Sequence, residues 1–194
     1  LNLAANLHVR GMGSEPVEFD NKRYSADGSY LYFRGDLSHT HDLPGGFQAF
    51  VKAQGQITPN ALINSEQFAG GGQSTVRGYL ESEVLGDNAC FGPLELRTPS
   101  IFGFFGKPKE DKDESMEEPN EWWLYAFLEG GRVSLNNPLP EEIDRHDLAS
   151  WGFGSRMKLF GHLNGSIDVS FPLIDASPTL KDDVFVSFRA WAEF

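Results

Sequence analysis

The sequence holds a single cysteine, Cys90, so no internal disulfide framework can form. Basic residues are scarce: 16 Lys and Arg stand against 28 Asp and Glu, a formal net charge of -12. Contact with phosphates needs basic patches, so no nucleic-acid partner is expected. No run of about 18 apolar residues exists, which excludes a membrane-spanning helix. A barrel is not excluded, because lipid-facing and lumen-facing residues alternate and average to a polar sequence. No secretory leader pattern opens the chain. Its first residues already alternate, and the chain is expected to be part of something longer. Serine–histidine–acid spacing, phosphate loops and zinc patterns are also missing. No catalytic residue, cofactor or metal site is therefore expected.

What is present is a period of two. Leu1, Leu3, Ala5, Leu7 and Val9 alternate with Asn2, Asn6, His8 and Arg10. Leu31, Phe33, Gly35 and Leu37 alternate with Tyr32, Arg34 and Asp36, and Phe47, Ala49, Val51 and Ala53 with Gln48, Phe50, Lys52 and Gln54. Leu94 and Leu96 flank Glu95 and Arg97. Trp122, Leu124, Ala126 and Leu128 oppose Trp123, Tyr125, Phe127 and Glu129. Trp151, Phe153 and Met157 oppose Gly152, Gly154, Arg156 and Lys158, while Ile167, Val169 and Phe171 oppose Ser166, Asp168 and Ser170. The last set is Val184, Val186, Phe188, Ala190, Ala192 and Phe194 against Phe185, Ser187, Arg189, Trp191 and Glu193. These make about eight segments, each near the roughly 9–11 residues that a tilted strand needs to cross a bilayer.

The connections alternate in length. Leu43-Pro44-Gly45-Gly46 and residues 161–165 are short, whereas 11–28, 58–87, 136–146 and 174–182 are long and polar, the asymmetry of an outer-membrane barrel. Residues 103–120 break the pattern, being long and charged where a short turn is expected. They read as a solvated, flexible insertion rather than a calcium loop. The pattern leaves open which face meets lipid, since a soluble eight-stranded barrel turns its apolar face inward around a ligand.

The stretch Ser65-Glu66-Gln67-Phe68-Ala69-Gly70-Gly71-Gly72-Gln73-Ser74-Thr75-Val76-Arg77-Gly78-Tyr79 narrows the choice. With Leu80-Glu81-Ser82-Glu83, Leu94-Glu95-Leu96-Arg97-Thr98-Pro99, Ala126-Phe127-Leu128-Glu129-Gly130-Gly131-Arg132-Val133, Gly152-Phe153-Gly154-Ser155-Arg156 and Phe171-Pro172-Leu173 in this order, it resembles the outer-membrane transporters of two-partner secretion. This is the hemolysin-activator and filamentous-haemagglutinin transporter family, within the superfamily of the outer-membrane assembly factor. The resemblance implies an all-β transmembrane antiparallel barrel of about sixteen strands, of which this chain supplies about eight C-terminal ones. Periplasmic polypeptide-transport-associated domains would precede the barrel in the complete protein and lie outside this chain.

The function implied is secretion of an unfolded exoprotein across the Gram-negative outer membrane, without enzymatic activity. The alternatives are a factor that assembles other barrels and, from another class, a soluble ligand-binding barrel. The implied partners are the exoprotein, outer-membrane lipid and the barrel-assembly machinery. The resemblance makes Val76-Arg77-Gly78-Tyr79 the tip of an extracellular loop, 58–87, that folds into the lumen. Gly70, Gly71 and Gly72 would supply positive φ or let backbone pass close to a wall. Arg77 would pair with the acid of a Phe-x-acid-x-Gly strand motif, here Phe127 and Glu129, and with Glu95, its flat face on Phe127. The family more often has Asp where Glu129 stands. Phe188, Ala190, Ala192 and Phe194 resemble the C-terminal signal read by the assembly machinery. On the alternation, an arginine at Val169 would meet lipid and be damaging, while one at Ser170 would meet the lumen and be tolerated.

Other constellations read as structural. His39 and His41 share a strand face, which at a solvated strand end is no metal site. Glu141, Glu142, Asp144 and Asp147 cluster in a loop without an inferable pocket. Trp122, Trp123, Phe104, Phe105 and Trp151 are candidates for aromatic girdles at the membrane interfaces.

Overall fold

The computed structural model describes residues 1–9, 16–26, 28–104 and 120–193. Its elements are β1 (Asn2–His8), α1 (Pro16–Asp20), β2 (Tyr30–Asp42), β3 (Gln48–Ile57), β4 (Phe68–Gly70), β5 (Val84–Gly86), β6 (Asn88–Arg97), β7 (Glu121–Ser134), β8 (Arg145–Leu159), β9 (Leu163–Pro172) and β10 (Phe185–Ala192), with 3-10 turns at Pro44–Gly46 and Ile101–Phe104. Eight strands form one antiparallel sheet in the order β1-β2-β3-β6-β7-β8-β9-β10. The other two, β4 and β5, pair as a ribbon inside the connection between β3 and β6. The alternating segments became strands because branched and aromatic residues on every second position suit a pleated surface with two unlike faces. The expected short turns join β2 to β3 and β8 to β9, the long β6–β7 connection lies at the same end, and the other long connections share the opposite end of the sheet.

The faces sort by chemistry. Leu3 is 79% exposed and Phe188 82%, and with Leu37, Val51, Leu94, Leu128, Trp151 and Ile167 they cover the outer face. Tyr125, Phe127, Glu129 and Asp168 are buried on the other side. A soluble barrel would have the reverse arrangement, so the outer face is the one suited to lipid. The sheet is also strongly curved. The side chain of Gln54 on β3 donates to the Ser74 carbonyl at 2.6 Å, and that of neighbouring Gln73 to Ser187 Oγ on β10 at 2.7 Å. Flat, those two strands would stand about 24 Å apart, five strand spacings. The sheet is a trough, and the 58–87 connection fills it.

Sequence reading erred in detail. The 11–28 connection carries α1, whose Phe19 packs with Ala26, Ile63 and Tyr30. The 58–87 connection carries β4 and β5. His39 and His41, expected where the strand runs into a long connection, lie on the outer face of β2, which continues to Asp42 beside the short turn. Of the proposed girdle residues, Trp122 and Trp151 lie on the outer face. Trp123 takes the lumen register with Arg156 instead, because a period of two cannot put both of two adjacent tryptophans on one side. Phe105, most of the 103–120 insertion and Phe194 lie outside the described residues, as does the side chain of Phe104.

The two faces make a matched test. Val51 and Thr40 sit one register step apart on β3 and β2, Val51 outward and Thr40 toward the lumen. Val51→Arg is expected to cost roughly 2–4 kcal/mol near the bilayer midplane and to lower the outer-membrane level of the complete protein. Thr40→Arg should leave that level unchanged. Equal levels for the two variants would show that the faces are misassigned.

Candidate functional site

The 58–87 connection is built to hold its tip still. Gly71 and Gly72 have φ of 101° and 85°, a region open to glycine, and they reverse the chain after β4. The Thr75 hydroxyl clips the turn, accepting from Gly71 N at 2.8 Å and donating to Gly71 O at 3.0 Å. Gly70 needs no positive φ. It lies so close to Phe91 that a Cβ would stand 2.6 Å from the ring. Val76 and Tyr79 then drop into an apolar cluster with Val84, Phe91, Val133 and Leu148. The Tyr79 hydroxyl lies 2.9 Å from Ala149 O and 2.8 Å from Ile174 O, donating to one at a time. At Gly78, φ is 93° and a Cβ would stand 3.2 Å from Ser170 Cβ, so the tip presses directly on β9.

Between these anchors Arg77 reaches three strands. Nε donates to Glu129 Oε1 at 2.9 Å on β7, Nη2 to Glu95 Oε1 at 2.8 Å on β6, and Nη1 to Asp168 Oδ1 at 2.9 Å on β9. Its backbone N–H also donates to Glu129 Oε2 at 2.7 Å. The guanidinium carbon lies 3.6 Å from the centroid of the Phe127 ring. Arg77 and its three acidic partners are all buried. The planar five-donor fork suits this arrangement; a lysine ammonium, a point charge, could not span three strands. A second layer steadies the acids. Tyr125 donates to Asp168 at 2.6 Å, and Arg97 Nε to Glu95 Oε2 at 2.9 Å.

The platform under Arg77 is cut by two missing side chains. A Cβ on Gly152 would stand 2.4 Å from Phe127 Cζ, and one on Gly154 2.6 Å from Tyr125 Cζ. The Gly-Phe-Gly of β8 is therefore the recess in which both rings lie flat. Gly152→Val is expected to lift Phe127 and cost about 1–3 kcal/mol of overpacking. External protease should then cut the 58–87 connection faster in intact cells. Unchanged cleavage would show that the platform does not hold the loop.

The structure thus brings together Val76, Arg77, Gly78, Tyr79, Glu95, Phe127 and Glu129, the residues singled out from the sequence. It adds Asp168, Tyr125, Arg97 and the glycine recess, which that reading missed. Alternation had put Asp168 on the lumen face. What it lacked was height: the register Arg97, Tyr125, Gly154, Asp168 sets that carboxylate beside the tip. Ser170 is a correction. It faces the lumen, but Gly78 covers it and it is 1% exposed, so an arginine there would collide with the tip. Phe188, Ala190 and Ala192 lie on the outer face of β10, apart from this site. Glu142 accepts from Leu139 N within its own loop, and Asp147 pairs with Arg132.

A family model described as haemolysin secretion/activation protein ShlB/FhaC/HecB matches residues 5–157. The chain belongs to that family. The outer membrane transporter CdiB of Escherichia coli O6:K15:H31 (strain 536 / UPEC) is 25% identical over 149 residues, covering 74% of this chain and 22% of the relative. Among solved structures, CdiB from Acinetobacter baumannii superposes with a TM-score of 0.57 at 18% identity over 84% of this chain and 27% of its own. The chain thus spans about a quarter of the length of either relative. In this haemolysin secretion/activation family member, the Arg77 cluster joins the connection that fills the trough to three strands of its wall.

Proposed function

We propose that this chain is part of the pore of an outer-membrane transporter that secretes an unfolded exoprotein, supplying about eight C-terminal strands of a barrel of about sixteen. The observation that carries the reading is the Arg77 cluster: a connection folded into a polar trough and tied there by ionic hydrogen bonds rather than by an apolar core alone. In this reading the loop is a removable plug, and Arg77 with Glu95, Glu129 and Asp168 is its lock. The outer face meets lipid, and the assembly machinery inserts the barrel by its last strand, through Phe188, Ala190, Ala192 and Phe194.

The test is co-expression of the complete protein with the large secreted protein expected beside it in the genome. The partner should reach the medium only when the transporter is present, and other outer-membrane proteins should keep their normal abundance. Secretion without the transporter would overturn the reading. A general loss of outer-membrane proteins on its deletion would favour a barrel-assembly role instead.

A further inference from the structure

Beside the Arg77 cluster the trough holds a cavity of about 760 Å³, and cations line it in excess of what the cluster uses. Arg156 and Arg189 come from β8 and β10, while Arg97, on β6, already donates to Glu95. Register puts Arg156 and Arg189 in one row, bridged by Ser166, two strands apart. Arg97 stands one lumen position nearer the loop tip, level with Tyr125. Each guanidinium lies over a ring: Arg97 over Phe50 at 4.4 Å, Arg156 over Tyr125 at 4.9 Å, and Arg189 over Trp191 at 4.9 Å. Among the described residues, neither Arg156 nor Arg189 forms an ion pair with a carboxylate. The acids on the same wall are committed elsewhere: Glu95, Glu129 and Asp168 to Arg77, and Glu81 to the backbone N–H of Gln73 at 2.8 Å.

Resting on the transport reading, we propose that Arg156 and Arg189 form a lumen track that binds the carboxylate side chains of acidic segments in the exoprotein as it passes. Stacking uses the faces of the guanidinium and holds the side chain extended, leaving its N–H edges turned to the cavity. Those edges take a carboxylate in a two-point fork, an interaction set by side-chain type rather than by sequence. An unfolded polypeptide offers such groups one after another. The two cations stand on β8 and β10 with β9 between them, so a passing acidic stretch exchanges partners from one to the other. The chain carries a net charge of -12, so this is a local reversal of sign, placed where transport needs an attractive wall.

The experiment uses the complete transporter in a planar lipid bilayer. Two peptides are added in turn on the side of the short turns, one of alternating glutamate and serine, the other of alternating glutamine and serine. The glutamate peptide should interrupt the ion current at concentrations about tenfold or more below the glutamine peptide. Arg156→Gln with Arg189→Gln should erase that difference, while Arg132→Gln, on the outer face, should preserve it. A heat-shifted band on gels confirms that each variant is folded. Equal block by the two peptides in the unaltered protein would overturn the track without any variant. An unchanged glutamate preference in the double variant would overturn the assignment to these residues. Failure of the transport reading shows separately, as absence of the secreted partner from the medium with the unaltered transporter.

Discussion

Arg77→Ala is expected to stop exoprotein secretion while the barrel still reaches the outer membrane. The substitution leaves three carboxylates, Glu95, Glu129 and Asp168, facing the space the guanidinium filled. Glu95 keeps Arg97 and Asp168 keeps Tyr125, but Glu129 loses its one side-chain partner among the described residues. Removing one member of a buried pair costs about 3–5 kcal/mol, and water in the lumen brings this toward the lower end. That is enough to free the tip. It is not enough to unfold the sheet, whose antiparallel ladders join all eight strands. Arg77→Lys should rescue little, because one ammonium cannot serve three strands. Glu129→Ala should give a similar secretion defect, since it removes three of the tip's bonds, and the double variant should be scarcely worse than Arg77→Ala alone. Secreted partner in the medium and heat-shifted barrel in the outer membrane are measured together. Normal secretion, or a barrel lost from the membrane, would refute the lock.

Alternation carries one bit per residue, inside or outside. That bit was enough to place Glu95, Phe127 and Glu129 on the wall facing Arg77, and to turn Leu128 and Phe188 outward. It could not give height along the barrel, which depends on register accumulated across several strands. Asp168 was missed for that reason, although it is held as firmly as Glu95. Ser170 was misjudged for a related one: a lumen-facing residue is wet only where nothing fills the lumen. The glycines of β8 looked like interruptions of an apolar pattern. Their meaning appears only when Phe127 and Tyr125 lie across the neighbouring strand. The small helix α1 and the β4–β5 ribbon are too short for periodicity to show, and both are fixed by contacts distant in sequence.

The last expected result concerns a second buried ion pair, Asp87 with Arg23. Asp87→Ala should loosen the long connections at its end of the sheet more than any other single change outside the Arg77 cluster. Asp87 is fully buried where three connections meet. Its carboxylate accepts from both terminal nitrogens of Arg23, from Leu62 N at 3.0 Å, from Gln67 Nε2 at 3.3 Å and from Asn136 N at 2.6 Å. Arg23 in turn donates to the carbonyls of Leu62 and Asn136 at 2.6 and 3.0 Å. The 9–29, 58–87 and 135–144 connections are thus tied to one side chain. Alanine would leave Arg23 with carbonyl partners alone and take the acceptor from two backbone amides and a side-chain amide together. The pair alone is worth about 3–5 kcal/mol on breaking, and each unsatisfied amide adds about 1–3. Arg23→Ala should cost less, because the carboxylate keeps three donors. The double variant should match Asp87→Ala rather than add to it, since the two act on one contact. Protease nicking of the three connections on intact cells reads the effect, with all three opening together in Asp87→Ala. Nicking confined to one connection, or additive losses in the double variant, would show that they are secured independently.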